Sequence, residues 1–523
     1  MPDATQVTRF TSSAEATVSG VSSQIESRNP ATGEVLGRVP VSSTEEVRAV
    51  VASARRAQEA WALLPIEERT VRLLRFRNAI VDRGEEIVEL LSQENGKTRH
   101  ESLLFEVFPV AEVATYLSKH AAEILSPQRV TLGLAKYRTA YLQYVPRGVV
   151  AIISPWNFPF VLSLGDTLFA LAAGNAVVLK PSEVTPLVLA KAKEIWDATA
   201  GLPRDLFQVV QGYGKTGSDL IDAQPDMVVF TGGVATGKRV AAMCGERLIP
   251  CTLELGGKAP LIACEDADIE RTARGIVFGG FANSGQICIS VERVYAHAQV
   301  HDRLLERVVG LVSELRQGDP MTSLDLDVGA MTFDKQVDVV EKHIADAKQK
   351  GAVVRTGGTR KGMFFAPTVI AGCNHDMTVM TEEIFGPIVP FMKVASEDEA
   401  IAHANDSHLG LNAYVFTADR EKGRRIAERV LAGSVVVNDV FVNYAMAEAP
   451  FGGVKQSGIG RVHGPEGLRS FCHVKHVNVD RFGTMDREPT WYPFTKGAYG
   501  GFQKAVRALF GGGSLAKRLG DLL

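Results

Sequence analysis

The stretch "MVVFTGGVATG", Met227–Gly237, runs from a short apolar segment through a pair of glycines into what reads as the start of a helix. Met227–Phe230 is the length of a strand buried on both faces, and the residues after Gly233 suit a helical first turn. Gly232 and Gly237 stand G-x-x-x-x-G, a spacing that lets backbone approach an anion at a helix N-terminus, where N–H groups are unpaired and the dipole is positive. The same residues fit an ordinary strand-to-helix turn, so the stretch speaks for fold before it speaks for a ligand. A competing P-loop reading of "QGYGKTG" fails on spacing, because the glycine required five residues before Gly214 is Val209.

Upstream, Val149–Ile153, Ala176–Leu179 and Phe207–Val210 repeat the short apolar pattern, and the first gaps between them have room for crossover helices. The region therefore reads as a doubly wound α/β sheet. Before it, Ser43 and Glu46 form a capping-box pattern, followed at helical spacing by Val47, Val50, Val51, Ala54 and Trp61. "YRTAYLQYVPRGVV", from Tyr137, alternates as an extended ribbon does. Downstream, a second α/β segment extends from about Leu255 to Lys455, with a run at Val435–Val437 after a Gly433 turn. Two such halves leave a cleft between them.

With 523 residues, 46% hydrophobic and 22% charged, the chain is long enough for two or more packed domains of ordinary globular composition. A formal net charge of −3 supplies no basic field, which argues against nucleic acid as a partner. The six cysteines show no C-x-x-C and no Cys/His cluster at zinc-ligand spacing, so neither a disulfide framework nor a metal is expected, and a reducing, cytoplasmic setting is. The first thirty residues are polar and carry no apolar leader segment, and the apolar region Val149–Leu179 is broken by Pro155, Pro159, Asp166 and Asn175.

Several side chains invite chemistry. Lys180 and Glu183 in "VVLKPSE" follow a strand at the carboxyl edge where open α/β sheets bind ligands; they suit ribose hydroxyls, or a plain surface turn. Asn157 in "ISPWNFP" can donate to an oxyanion, or to its own backbone. Glu254 in "LELGGK" sits between leucines that raise proton affinity, as a general base requires, though a lone glutamate also ends strands in solvent. Cys288 in "FANSGQICIS" is a nucleophile candidate if dipoles or a cofactor charge assist it, and an inert buried thiol otherwise.

Taken in order, "SPWNFP", "GNAVVLKPSE", "FTGGVATG", "LELGGK", "GQIC", "EEIFGP" and "PFGGVKQSGIGR" resemble the aldehyde dehydrogenase superfamily across roughly residues 25–480. The resemblance implies NAD, with NADP also admitted, and oxidation of an aldehyde to an acid through a thioester. It implies Cys288 as nucleophile, Glu254 as general base, and Asn157 with the Cys288 N–H as oxyanion hole. Lys180 and Glu183 would hold the adenosine ribose, Glu383 and Phe385 the nicotinamide ribose. Ile153, Ser154, Pro155 and Trp156 would line the cofactor site, as would Phe230, Thr231, Gly232, Gly233, Gly237 and Leu255. Gly233 departs from the pattern, since many members carry Ser there, and Glu183 favours NAD by repelling a 2′-phosphate. "GQICISVER" and "WYPF" are similar to a branch that includes some succinic semialdehyde dehydrogenases.

The organisation implied is a flexible arm over 1–25, a Rossmann-type NAD(P)-binding domain over 26–127 and 147–254, and an α/β catalytic domain over 255–469. A β oligomerisation ribbon over 128–146 and 470–482 would make a homodimer or homotetramer. The tail over 483–523 is basic and amphipathic: Phe502, Val506, Leu509 and Phe510 share a face, with Lys504, Arg507, Lys517 and Arg518 elsewhere. It suits an anionic membrane surface, or packing against the protein or its partner. A CoA-acylating semialdehyde dehydrogenase, a cysteine esterase or hydrolase and a silent scaffold are the alternatives; Glu254 argues against the first, and Lys180, Glu183 and Glu383 have no use in the second.

Overall fold

Five parallel strands order the first sheet: β1 (Val149–Ile153), β2 (Ala176–Lys180), β3 (Phe207–Val209), β4 (Met227–Thr231) and β5 (Cys251–Glu254). Their spatial order is 3-2-1-4-5, with a short antiparallel strand, Gly458–Ile459, on the β5 edge. The chain leaves β1 toward β2 and β3, then returns to the opposite side of β1 as β4. At such a reversal the carboxyl ends of the strands splay apart and open a crevice. Register puts Ile153 of β1 beside Lys180 of β2 on one side and Phe230 of β4 on the other, all at that end. Every residue of β1 and β2 is buried, as expected where helices cover both faces.

The computed structural model describes residues 23–483, 486–488 and 490–512; the first 22 residues of the expected arm, and Lys517 and Arg518, lie outside the described residues. The second sheet holds β6 (Pro260–Ala263), β7 (Arg293–His297), β8 (Val353–Thr356), β9 (Thr368–Ala371), β10 (Ile388–Val394), β11 (Asn412–Phe416) and β12 (Ser434–Val437). Its order is 8-9-10-7-6-11-12, parallel except between β8 and β9. A shared apolar core runs from Val47 and Trp61 through β1 and β2 to Val294 and Phe416.

The helix Thr44–Ala62 shows how local signals and packing agree. Ser43 caps it in the reciprocal box with Glu46, and Val47, Val51, Ala54 and Trp61 form the buried stripe. Trp61 also donates from its indole nitrogen to the Leu171 carbonyl at 2.8 Å, tying this helix to the one between β1 and β2.

Residues 23–126 and 144–474 form one compact unit. The other takes 127–143 and the described residues between 475 and 512; Gln128–Val130 pairs antiparallel with the strand Arg138–Pro146. That strand lies between Gln128–Val130 and Cys472–Asp480 in a three-stranded sheet. A helix over Lys496–Phe510, capped by Thr495, exposes Phe502, Val506 and Phe510. Among the described residues no helix is long and apolar enough to cross a membrane.

Trp61→Ala should lower unfolding stability by about 3–5 kcal/mol, since it removes a fully buried aromatic and leaves the Leu171 carbonyl without its donor. Urea denaturation followed by far-UV circular dichroism measures it.

Candidate active site

Cys288 lies on irregular chain between the helix Ile269–Phe281 and β7. The turn after that helix holds Asn283 and Ser284 at φ 49° and 54°, a backbone region that residues with a Cβ seldom adopt. Specific contacts keep it there. The Asn283 N–H donates to Glu101 at 2.6 Å, the Ser284 hydroxyl to the Gly329 carbonyl at 3.1 Å, and the Thr332 N–H to the Gln286 side-chain carbonyl at 3.0 Å. Asn157 approaches from beyond β1 and donates from Nδ2 to the Gln286 carbonyl at 2.9 Å. An amide nitrogen has two N–H groups, and this residue also lines the central cavity of the site.

Glu254 ends β5 and is 6% exposed, and neither of its carboxylate oxygens has a hydrogen-bond partner. Burial first, then the Asp166 charge, pushes its pKa well above the usual carboxylate value, against a pull from Arg461. The glycines that follow answer to two close neighbours. A Cβ on Gly256 would stand 2.5 Å from the Glu383 carboxylate, and one on Gly257 would stand 2.0 Å from the Cys288 carbonyl. The Gly257 N–H donates to Glu383 at 2.9 Å. "LELGGK" thus brings Glu254, Glu383 and Cys288 to one place because two side chains are missing there.

Burial pushes the Cys288 thiol up to about 12, helped by the Glu383 and Glu254 charges and opposed by the N–H groups of Cys288 and Ile289. Glu383 is raised to about 8 by burial and then by Glu292. A positive charge brought close to this sulfur would reverse the balance.

Three adjoining cavities organise the surroundings. The central one, about 270 Å³, is lined by Cys288, Glu254 and Asn157 together with Leu255, Glu383 and Phe385. Pro155, Trp156, Thr231, Gly232 and Gly233 line it too and continue into a second cavity of about 490 Å³. Ile153, Ser154, Lys180, Glu183 and Phe230 line only the second of these two. Gly237 lines neither; a Cβ there would meet Leu255 at 2.5 Å, so this glycine sets how closely the helix Val234–Glu246 packs on the sheet. The third cavity, about 220 Å³ and walled by apolar side chains, meets the central one at Cys288 and Leu162.

The first two cavities fit a dinucleotide. Gly233, at the N-cap of Val234–Glu246, brings no capping side chain, and the first turn carries no acidic residue, so the positive helix end is left for an anion. Lys180 and Glu183 stand 3.4 Å apart at the far end, where burial lowers the pKa of the Lys180 ammonium. Trp156 and Phe385 meet edge-on, centroids 5.4 Å apart, beside the central cavity.

Sequence reasoning missed what holds these loops. Glu106, wholly buried, accepts from the N–H groups of Phe160 and Val161 at 3.0 and 2.8 Å and pairs with Lys97, which in turn donates to the Asn157 carbonyl at 2.8 Å. Glu292 accepts from the Ile384 and Phe385 N–H groups at 3.0 and 2.8 Å and from Lys258 at 2.9 Å. The available signal was a charge flanked by Phe105 and Val107, which has no reason to be there unless it is paired. Gln336 was also missed; it lines the central cavity and donates to the Ile384 carbonyl at 2.7 Å.

The profile of the aldehyde dehydrogenase family matches residues 17–477. Over 495 residues the chain is 40% identical to a 4,4′-diapolycopene aldehyde oxidase of Methylomonas sp., covering 94% of this chain and 92% of that one. It is 37% identical over 461 residues to a provisionally named NADP(+) succinate-semialdehyde dehydrogenase of Mycolicibacterium smegmatis, with 87% and 88% covered. A Bacillus cereus aldehyde dehydrogenase solved as its NAD+ complex superposes with TM-score 0.83 at 35% identity, covering 87% of this chain and 93% of that one.

Glu106→Leu should destabilise the protein by about 3–5 kcal/mol, because it strands a buried ammonium and two helix N–H groups together. Equilibrium unfolding in urea checks this, and a change under 1 kcal/mol would remove Glu106 as the anchor of the Asn157 segment.

Proposed function

The chain belongs to the aldehyde dehydrogenase family, whose NAD(P)-dependent members oxidise aldehydes, and on that premise we propose that Cys288 is the nucleophile, Glu254 the base and Asn157 an oxyanion donor. The observation that carries this reading is the position of Cys288 where a polar crevice fit for a dinucleotide meets an apolar chamber, with Glu254 and Asn157 on the same central cavity. Lys180 and Glu183 would take the adenosine ribose, the helix after Gly233 the pyrophosphate, and Glu383 with Phe385 the nicotinamide end. The Glu183 carboxylate would oppose a 2′-phosphate, so NAD is the preferred form.

The sulfur of Cys288 adds to the aldehyde carbon, and an N–H of Asn157 with the backbone N–H of Cys288 meets the oxygen that becomes negative. When bound, NAD(P)+ supplies the acceptor for the hydride that leaves this carbon. The acyl group stays on Cys288 as a thioester. Glu254, in its carboxylate form, takes a proton from water, the hydroxide adds to the acyl carbon, and the thiolate leaves. One aldehyde, one water and one NAD(P)+ give one carboxylate, one NAD(P)H and two protons. A carboxylate without hydrogen-bond partners suits this task, since nothing competes for the proton it must accept.

We place self-association, as a dimer or tetramer, on the strand Cys472–Asp480. It is nine residues long, lies at the edge of its sheet and is exposed over most of its length, the arrangement that pairs with another chain unless covered.

Glu254→Gln should give a first burst of NADH and then stall, with steady-state kcat down at least about a hundredfold. Undiminished turnover would remove Glu254 as the base. The same substitution should stabilise the fold. Glu254 binds its proton more tightly in the folded chain than in the unfolded one, so stability falls as pH rises from the unfolded carboxylate range, about 4.3, through the raised folded value. Glutamine has no such slope, and its advantage should reach about 1–3 kcal/mol at pH 8, measured by urea unfolding at pH 5 and pH 8.

A further inference from the structure

The apolar chamber beyond Cys288 carries a statement about substrate. It is built from separate parts of the chain that converge on one lining chemistry. A π-turn over Leu103–Val107 sends Leu104 and Phe105 into the chamber and Glu106 the other way, onto Lys97. Single π-turns inside α-helices recur where a side chain has to be re-aimed at a site. Phe441 reaches the chamber from a backbone at φ 65°, an outlier for so bulky a residue, held within a ring cluster with Phe105 and Phe278 at centroid distances of 5.6 to 6.3 Å. Val440, Val442 and Ile289 complete this side of the wall.

None of the lining side chains is Lys, Arg, His, Asp, Glu, Asn or Gln; the polar side-chain atoms on the wall are the Cys288 sulfur and the Tyr444 phenol. Burial, then the charge of Asp166, raises the Tyr444 pKa, so the phenol stays neutral. Lys97 stands 4.0 Å over the Phe158 ring but behind it, and its charge is taken up by Glu106. Arg274 and Arg316 line the neighbouring groove that shares Leu104, Phe105 and Phe278 with the chamber, and each is already bound to a carboxylate, Glu270 and Asp327. Around the chamber, Leu104, Phe108 and Phe278 are each about half exposed, so apolar surface extends from the wall to solvent.

We infer that this site selects a neutral, apolar aldehyde, with a long alkyl, polyenyl or aromatic body lying against Phe105, Phe278 and Phe441, and that it rejects short carboxylate-ended semialdehydes. The inference rests on Cys288 being the nucleophile, since that is what puts the chamber on the substrate side. A hydrocarbon body gains burial along the wall, whereas a carboxylate a few bonds from the carbonyl would lose its water and meet no cation, with the single Tyr444 phenol as the side-chain oxygen donor on the wall.

The test compares kcat/KM for decanal, cinnamaldehyde and succinic semialdehyde with the full-length enzyme and saturating NAD+, with propanal as a small neutral reference. Decanal or cinnamaldehyde should exceed succinic semialdehyde by at least about a hundredfold. Phe278→Arg, which puts a cation on the wall, should narrow that ratio at least about tenfold, chiefly by raising KM for decanal and lowering it for the semialdehyde. A semialdehyde used as well as decanal by the unaltered enzyme overturns the inference while leaving Cys288 as the nucleophile. NADH formation from none of the four aldehydes overturns the proposed function itself, and this inference with it. The wild-type comparison decides the matter if Phe278→Arg does not fold.

Discussion

Carboxylates buried where water does not reach them hold the backbone around Cys288 in place. Glu106 ties the Asn157 segment and the next helix to Lys97, Glu101 takes the Asn283 N–H, and Glu292 takes the N–H groups that begin the Phe385 turn. Glu94 does the same at the helix Leu187–Ala198, accepting from Leu187 and Val188. Burial raises the pKa of Glu94, Glu101 and Glu106, which is the cost of the arrangement. The donors that converge on each offset part of that cost and are thereby fixed in turn. Loops that would otherwise have many conformations are left with one.

Glu254 is the contrast that gives the site its meaning. It is as deeply buried as the structural carboxylates, yet neither of its oxygens has a hydrogen-bond partner. Both oxygens of Glu94, Glu101 and Glu106 accept hydrogen bonds, and neither oxygen of Glu254 does. The difference separates a carboxylate held by converging donors from one whose oxygens meet none. A similar division runs through the cavities: polar groups and a helix end face one side, hydrocarbon faces the other, and the sulfur stands where the two meet. The non-glycine residues with positive φ near the cysteine, Asn283, Ser284, Phe385 and Phe441, mark where chain geometry has been bent to aim a side chain or a carbonyl.

How much of this was legible depended on the range of the interaction. Short apolar runs separated by glycine turns and helical stretches are local signals, and they disclosed the first sheet; Ser43 with Glu46 announced a helix start that the structure contains. The motifs named residues that the structure places on the walls of two adjoining cavities, apart from Gly237, which lines neither and lets a helix sit close to Leu255. Lys97 and Glu106 were not legible in this way: a charge between Phe105 and Val107 signals that it is paired, but which partners converge on it is decided by other elements. Nor was the chamber wall, since Phe105, the stretch with Phe278 and Ile289, and Phe441 come from three distant parts of the chain, each of which alone reads as ordinary core.

Sequence by itself determined the α/β class, the family, and the order in which a cysteine, a glutamate and an asparagine occur along the chain, because spacing and backbone chemistry are local properties. Tertiary structure alone decided that Glu254 is buried without partners, that Glu106 and Glu292 hold the loops, and that the far side of Cys288 is hydrocarbon. Burial, pairing and the shape of a cavity are relations between residues on different elements of the chain, and no local pattern encodes them.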